Sequence, residues 1–136
     1  MADPIDILKI IVWLDKHNVK NYDIKKDGRV DVLGSVRLFN KKLKEISIQF
    51  GEIKGDFDCS NNELILLKGC PQKVSGYFDC SNNKLTSLEG CPEEVGILFD
   101  CRKNPNLKSL KGIGKVAGQI YSDFFEGPRD SYKGEL

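Results

Sequence analysis

The sequence FDCSNNELILLKGCP, residues 57–71, is followed by FDCSNNKLTSLEGCP, residues 78–92. The two stretches differ at four of fifteen positions and carry their cysteines in the same places. A metal site, a disulfide framework or a structural repeat could each produce this pattern. The three explanations demand different residues around the cysteines, so the rest of the chain can decide between them.

The cysteine count argues against the first two explanations. The chain of 136 residues has five cysteines and one histidine, and no two cysteines lie closer than ten positions. Zinc sites typically use closely spaced ligand pairs that converge on one point. A disulfide framework belongs to oxidising compartments, whereas this sequence predicts a cytoplasmic protein. We therefore expect five free thiols and no metal site.

Charge and composition exclude further classes of protein. Lys and Arg number 21 and Asp and Glu number 20, so no net charge favours nucleic acid or an anionic membrane. No apolar run reaches the length of a membrane span, and the N-terminus lacks the features of a secretory signal. Phosphate-binding glycine motifs are absent. We expect no nucleic-acid or membrane partner, no cofactor and no catalytic residue, and the sequence predicts that the protein is not an enzyme.

A step of 21 residues organises the chain. Cys59, Cys80 and Cys101 follow this step, as do the phenylalanines two positions before them. Stepping backwards from Cys59 leads to Leu38, and stepping forwards from Cys101 leads to Ser122. The unit therefore recurs about five times with atypical ends, and a cysteine that replaces a repeating leucine acts as a small buried hydrophobe.

The residues around each cysteine predict a short strand. Phe57 and Cys59 alternate with polar neighbours, which is typical of a strand with one buried face. Parallel copies of such a strand stack about 4.8 Å apart. Asn62, Asn83 and Asn104 recur where each strand ends, and inward amides there can satisfy backbone groups of the turn.

The repeat resembles the leucine-rich repeat, whose core L-x-L-x-x-N-x-L corresponds to FDCSNNEL at 57–64 and FDCSNNKL at 78–85. The leucine expected three positions before each phenylalanine is missing, and Ile53, Val74 or Val95 lies one position earlier. The short unit is similar to repeats of bacterial secreted effectors, and still more to tandem units of small tailed-phage proteins. The resemblance covers residues 30–123. It implies an α/β leucine-rich-repeat solenoid, with a short curved parallel sheet and an N-terminal helix and β-hairpin cap.

The remaining residues are expected to close the ends of this single domain. Residues 1–33 predict a helix from Pro4 to Lys16 and a hairpin around 26–28, residues 34–123 hold the repeats, and residues 124–136 form a C-terminal cap and tail. The helix is predicted to use a broad apolar face, composed of Ile7, Leu8, Ile11, Val12 and Leu14. Trp13 then falls on the polar side. It either packs on the hairpin near Tyr22 or anchors a partner as a second surface.

Outward residues of the repeated strands form the candidate site. Asp58, Asp79 and Asp100 follow the 21-residue step and should stack on the concave face, where like charges about 5 Å apart cost roughly 0.8 kcal/mol in water. The carboxylates are either hydrated and offset by Arg37, Arg102 and Lys103, or they belong to a recognition stripe. The predicted stripe comprises Arg37, Phe39, Asp56, Asp58, Tyr77, Asp79, Leu98, Asp100, Arg102 and Tyr121.

These features lead to one functional expectation and two alternatives. We expect a non-enzymatic protein-binding module whose concave face takes a protein partner with a basic patch. The phage resemblance implies a phage-encoded protein that acts on a host protein, with a defence factor as one target. The first alternative is a structural or assembly protein that self-associates through its sheet ends, and the chain is then a monomer or weak homo-oligomer. An enzyme site on the concave face is the second alternative.

Overall fold

The computed structural model describes residues 3–136, apart from the side chain of Ile5. One helix, α1 (Pro4–Lys16), precedes twelve short strands in this part of the chain. The strands are β1 (Tyr22–Ile24), β2 (Val30–Val32), β3 (Val36–Arg37), β4 (Phe50–Ile53), β5 (Phe57–Asp58), β6 (Lys73–Val74), β7 (Phe78–Asp79), β8 (Glu94–Val95), β9 (Leu98–Asp100), β10 (Lys115–Val116), β11 (Gln119–Tyr121) and β12 (Glu126–Pro128). A 3-10 turn, Arg129–Ser131, follows β12. Within residues 3–136, no helix is long and apolar enough to cross a membrane.

The strands form two six-stranded sheets rather than the single sheet of the sequence expectation. Sheet 1 has the order β12-β11-β9-β7-β5-β3, and sheet 2 has the order β1-β2-β4-β6-β8-β10. Each repeat contributes one strand to each sheet, so the chain winds as an α/β solenoid with an N-terminal helix. Antiparallel pairs occur only at the ends, as β1 with β2 and β11 with β12; every other pair is parallel.

The register confirms the 21-residue step. Val36 pairs with Phe57, Phe57 with Phe78, Phe78 with Phe99 and Phe99 with Ile120. The weak first copy and the partial last copy are therefore true turns of the solenoid. The core is a column of rings: the centroids of Phe50, Phe57, Phe78 and Phe99 are spaced 5.2, 5.8 and 5.2 Å apart.

The predicted asparagine ladder lies inside the turns that follow sheet 1. The Asn83 amide donates to the carbonyls of Cys59, Cys80 and Ser81, and its Oδ1 accepts from the Leu64 N–H at 2.9 Å. Asn104 repeats the pattern one step later. The neighbouring Asn82 is exposed and adopts φ +53°. Buried backbone groups that no sheet reaches are thus satisfied by one side chain per turn.

The N-terminal helix caps the first repeat, but the predicted apolar face is only partly buried. Leu14 is fully buried and Trp13 is half-buried, whereas Leu8 and Val12 are 63% and 66% exposed. The helix is apolar on nearly every side, so its composition does not fix its orientation. The solenoid does, because Phe50 at the end of the core needs a cover and lies 6.0 Å from the Trp13 ring.

The hairpin and the C-terminal residues close one sheet each. The hairpin turns at residues 25–29 as predicted, and its strand β2 extends sheet 2 by pairing with β4. At the other end β12 closes sheet 1, and Arg129 Nε donates to the Gly114 carbonyl beside β10 at 2.7 Å. The Phe125 and Tyr132 rings pack edge to face, with centroids 5.0 Å apart.

Candidate protein-binding face

The outward side of sheet 1 gathers most of the predicted site residues. We call this surface the aspartate face; its members are Arg37, Phe39, Asp58, Tyr77, Asp79, Leu98, Asp100, Arg102 and Tyr121. Alternation places them on the side opposite to the buried Phe57 and Cys59 and their counterparts in other repeats, where Asp58 and Asp79 are half-buried and Asp100 is buried. Asp58, Asp79 and Asp100 lie side by side, paired in register across β5, β7 and β9.

Each aspartate also has a local structural role that the sequence analysis did not foresee. The Asp58 carboxylate accepts from the Ser60 N–H at 3.0 Å and from the Ser60 hydroxyl at 2.6 Å. Asp79 accepts from the Ser81 N–H at 2.9 Å in the same way. These bonds, which span two residues, stabilise the turn at the end of each strand. The spacing Asp-x-Ser is the signal that could have revealed them.

Arginines lie at both ends of the carboxylate row. Arg102 binds Asp100 through two hydrogen bonds, of 3.1 and 2.8 Å, and its guanidinium lies 4.9 Å from the Tyr121 ring centroid. Arg37 donates to the Tyr77 hydroxyl at 3.3 Å. Lys103 takes no part in the row; its N–H binds Asp123 at the far turn. The row is therefore offset at its ends, while Asp79 at the centre accepts its hydrogen bond from Ser81 and also interacts with the charge of Arg102.

The charged form of the central carboxylate, Asp79, is disfavoured in the folded chain. Burial raises the pKa of Asp79 above its ordinary value, and the charges of Asp100 and Asp58 add to this rise. The hydrogen bonds from Ser81 oppose it, but they do not cancel it. A raised pKa means that the folded chain holds this carboxylate in its charged form at a cost.

Two further predicted residues have contacts of their own. Asp56 lies just before β5, at the repeat position of Tyr77; its Oδ1 accepts from the Tyr77 N–H at 2.9 Å and so links two repeats. Trp13 packs at the end of the core on Phe50, and its ring also lies 4.3 Å from that of His17. Half-burial of the indole favours a capping role over a free anchor.

The five cysteines are free thiols, four of them buried, so the disulfide explanation is excluded. Burial raises the pKa of Cys101 to about 12 and that of Cys91 to about 11. A thiol with so high a pKa is a poor nucleophile near neutral pH. Within residues 3–136, no group of three or more His, Cys, Asp or Glu side chains could hold a metal ion together.

Sheet 2 presents a second surface that the sequence analysis did not describe. Glu52, Lys73, Glu94 and Lys115 pair in register across β4, β6, β8 and β10, so their charges alternate. They line a shallow groove of about 720 Å³. Opposite charges on neighbouring strands stabilise a register, so this ladder has a sufficient structural explanation. In sheet 1, by contrast, the residues paired in register are like-charged aspartates.

Comparison with known proteins gave no match to any protein-family model, curated protein or solved structure.

Proposed function

We propose that the chain is a non-enzymatic protein-binding module of the leucine-rich-repeat type that binds a basic patch of a partner protein through the aspartate face. The observation that carries the proposal is the row of three in-register carboxylates across β5, β7 and β9. Aromatic side chains and arginines flank the row at both ends, a combination that suits the centre and rim of a protein interface.

The negative charge of this row exceeds what the fold requires. An asparagine at position 79 could accept the same N–H of Ser81 without bringing a third charge beside Asp58 and Asp100. The raised pKa of Asp79 indicates that the charge is unfavourable in the free chain. A basic partner would place a positive charge beside the Asp79 carboxylate, and this supports recognition over a purely structural role.

The biological setting follows from the repeat resemblance. Tandem units similar to those of small tailed-phage proteins favour a phage-encoded protein that acts in the host cytoplasm. A host protein, with a defence factor as one target, is then the proposed partner. Five free thiols are compatible with a reducing compartment.

Self-association through the sheet ends is the second candidate function. It is supported by β3, the last strand of sheet 1, which has a neighbour on one side only. Size-exclusion chromatography over a range of concentrations separates the two candidates. A dimer held through the ends of the sheets supports the assembly role, and a monomer that captures a host protein supports recognition.

A double substitution at the centre of the aspartate face tests the proposal. Tyr77→Ala with Asp79→Arg should abolish binding, because central aromatic and charged residues carry most of an interface's energy, about 2 kcal/mol or more each. A partner is first identified by pulldown from host lysate and is then titrated by calorimetry, with folding checked by circular dichroism.

Charge reversals at Lys73 and Glu94, on sheet 2, provide the matched control and should leave binding unchanged. If the Tyr77/Asp79 variant is folded and binds normally while a Trp13 variant does not, the recognition surface is the N-terminal cap and the proposal is wrong.

A further inference from the structure

The first repeat departs from the others at its two outward positions. The second and third repeats present aspartate and then serine there, as Asp58 with Ser60 and Asp79 with Ser81, whereas the first presents Arg37 and Phe39. Terminal repeats of a solenoid are expected to carry a polar outer surface. The Phe39 ring is nevertheless 46% exposed, so it does not serve the core.

These two residues lie on a strand edge that is available for pairing. β3 ends sheet 1, with β5 as its neighbour on the other side. The N–H groups of Val36, Leu38 and Asn40 all donate towards β5. Because backbone groups alternate in direction along a strand, the N–H groups of Arg37 and Phe39 point the other way. We call this the open edge.

The corner before β3 shows that no earlier repeat in the described part of the chain packs against this end of the solenoid. A Cβ added to Gly55, one repeat later, would meet the backbone of Gly34 at 2.7 Å, because each repeat packs against the one before it. Among residues 3–136, nothing beyond its chain neighbours lies within 4 Å of a Cβ added to Gly34.

The other three sheet ends also finish in a strand with one neighbour, but two of these strands are antiparallel and Arg129 covers part of the third. β1 closes sheet 2 at the N-terminal end, and β12 closes sheet 1 at the C-terminal end. The Arg129 side chain donates to the Gly114 carbonyl beside β10. Proteins commonly protect strand edges in such ways, because an exposed edge is a template for further pairing. In residues 3–136, the open edge is the sheet end that is formed by a parallel strand without such a side-chain contact.

We propose that the open edge docks an extended segment of the partner protein as an additional strand of sheet 1. The segment carries an acidic side chain beside Arg37 and an apolar one beside Phe39. The inference rests on the proposed function, since this strand would continue the aspartate face, and it specifies how the same partner is held. Strand addition supplies affinity through backbone hydrogen bonds, and the side chains at alternate positions supply specificity.

The charges at the edge set the chemistry of this segment. Arg37 on β3 is paired in register with Asp58 on β5. An acidic residue of the docked segment, on the other side of Arg37, would repeat this favourable pair, whereas a lysine there would oppose a like charge. A second copy of this chain is the weaker candidate. Pairing two β3 edges about Arg37 would set two guanidinium groups opposite each other.

The test uses the full chain and a seven-residue synthetic peptide with blocked ends. The peptide sequence is Thr-Val-Asp-Val-Phe-Val-Thr, with the aspartate intended to lie beside Arg37 and the phenylalanine beside Phe39. Amide exchange is followed by NMR with and without peptide. The Arg37 and Phe39 amides should become protected on addition, while those of Val36 and Leu38 should be protected already.

Charge reversal makes the assignment specific. A peptide with lysine in place of aspartate should bind roughly fivefold more weakly, and Arg37→Glu should reverse that preference. Lys108→Glu, an exposed lysine in the last repeat, is the charge-matched control and should leave the preference unchanged. N-methylation of the peptide backbone should abolish binding, which tests pairing without altering the protein.

The outcomes separate this inference from the proposed function. The Tyr77/Asp79 variant keeps β3 intact, so it should still bind the peptide after losing the whole partner. If that variant loses the partner but the unaltered chain fails to protect its Arg37 and Phe39 amides with peptide, edge docking alone is overturned. A dimer of the chain that Arg37→Glu dissociates would also overturn it, since the edge would then serve a second copy.

Discussion

At the scale of single residues, the asparagine ladder determines whether each turn can be buried. Asn83→Ala leaves the Leu64 N–H and three carbonyls without their side-chain partner. Each unsatisfied buried group costs about 1–3 kcal/mol, so we expect a loss of about 2 kcal/mol or more in the free energy of unfolding. Urea denaturation measures it. Asn82→Gly is the control: it removes only an exposed side chain, and glycine can adopt the φ of +53° at this position. If both substitutions lowered the free energy of unfolding equally, the inward assignment of Asn83 would be refuted.

Asp79 tests at the same scale whether the carboxylate row opposes folding. Asp79→Asn should increase the stability of the free chain at pH 7 by a fraction of a kcal/mol, because it removes a charge whose pKa burial has raised. A raised carboxyl pKa means that, as the pH falls, the folded chain binds this proton at a higher pH than the unfolded chain does. The cost therefore exists above that pKa and disappears as the pH falls through it, so the two proteins should converge in thermal denaturation at acidic pH. A less stable Asn variant at pH 7 would contradict this.

At the scale of elements, the helix cap provides a matched pair of leucines. Leu14 is fully buried and Leu8 is mostly exposed on the same helix. Leu14→Ala should cost about 2–5 kcal/mol because it opens a cavity at the end of the core. Leu8→Ala should change the free energy of unfolding by less than about 1 kcal/mol. Chemical denaturation compares the two, and equally large losses at Leu8 and Leu14 would support the face first predicted from the sequence, which contained both residues.

The helix also shows why some elements could be predicted and others could not. Its bounds, Pro4 and Lys16, were predicted from the sequence, but apolar residues lie on most sides of its axis, so packing on the end of the core, where Phe50 lies, selects the buried face. Strands β5, β7 and β9 were predictable because alternation and the 21-residue step coincide at Phe57, Phe78 and Phe99. Strands β6, β8 and β10 of sheet 2 hold a single valine each, so the 21-residue step marks that position without the alternation that would indicate a strand.

The candidate site likewise contains features that could be predicted from the sequence and features that could not. Its outward residues could be predicted, since the inward positions of a periodic strand fix the outward ones. The bonds from Ser60 and Ser81 to the aspartates are local, and the Asp-x-Ser spacing is their signal in the sequence. The open edge beside Arg37 depends on three-dimensional neighbours, which no periodic pattern encodes.

At the scale of the whole molecule, the closed ends should decide whether the solenoid remains monomeric. Deleting residues 124–136 removes β12, the Arg129 contact with Gly114, and the packed rings of Phe125 and Tyr132. The edge of β11 would then be unpaired. The truncation also removes Pro128 of β12, which has no N–H that could bind a further strand. We expect lower stability in urea and concentration-dependent association, followed by sedimentation velocity.

A shorter truncation separates edge closure from simple loss of chain. Deleting 134–136 removes the hydrogen bond from the Gly112 N–H to the Leu136 carbonyl and the exposed ion pair of Lys111 with Glu135. Because exposed pairs contribute about 0–1 kcal/mol and β12 stays in place, this variant should sediment like the full chain. If the longer truncation stays monomeric at every concentration while losing stability, β12 serves to cover the core and not to protect the edge. Association of both variants would place the protective role in the last three residues.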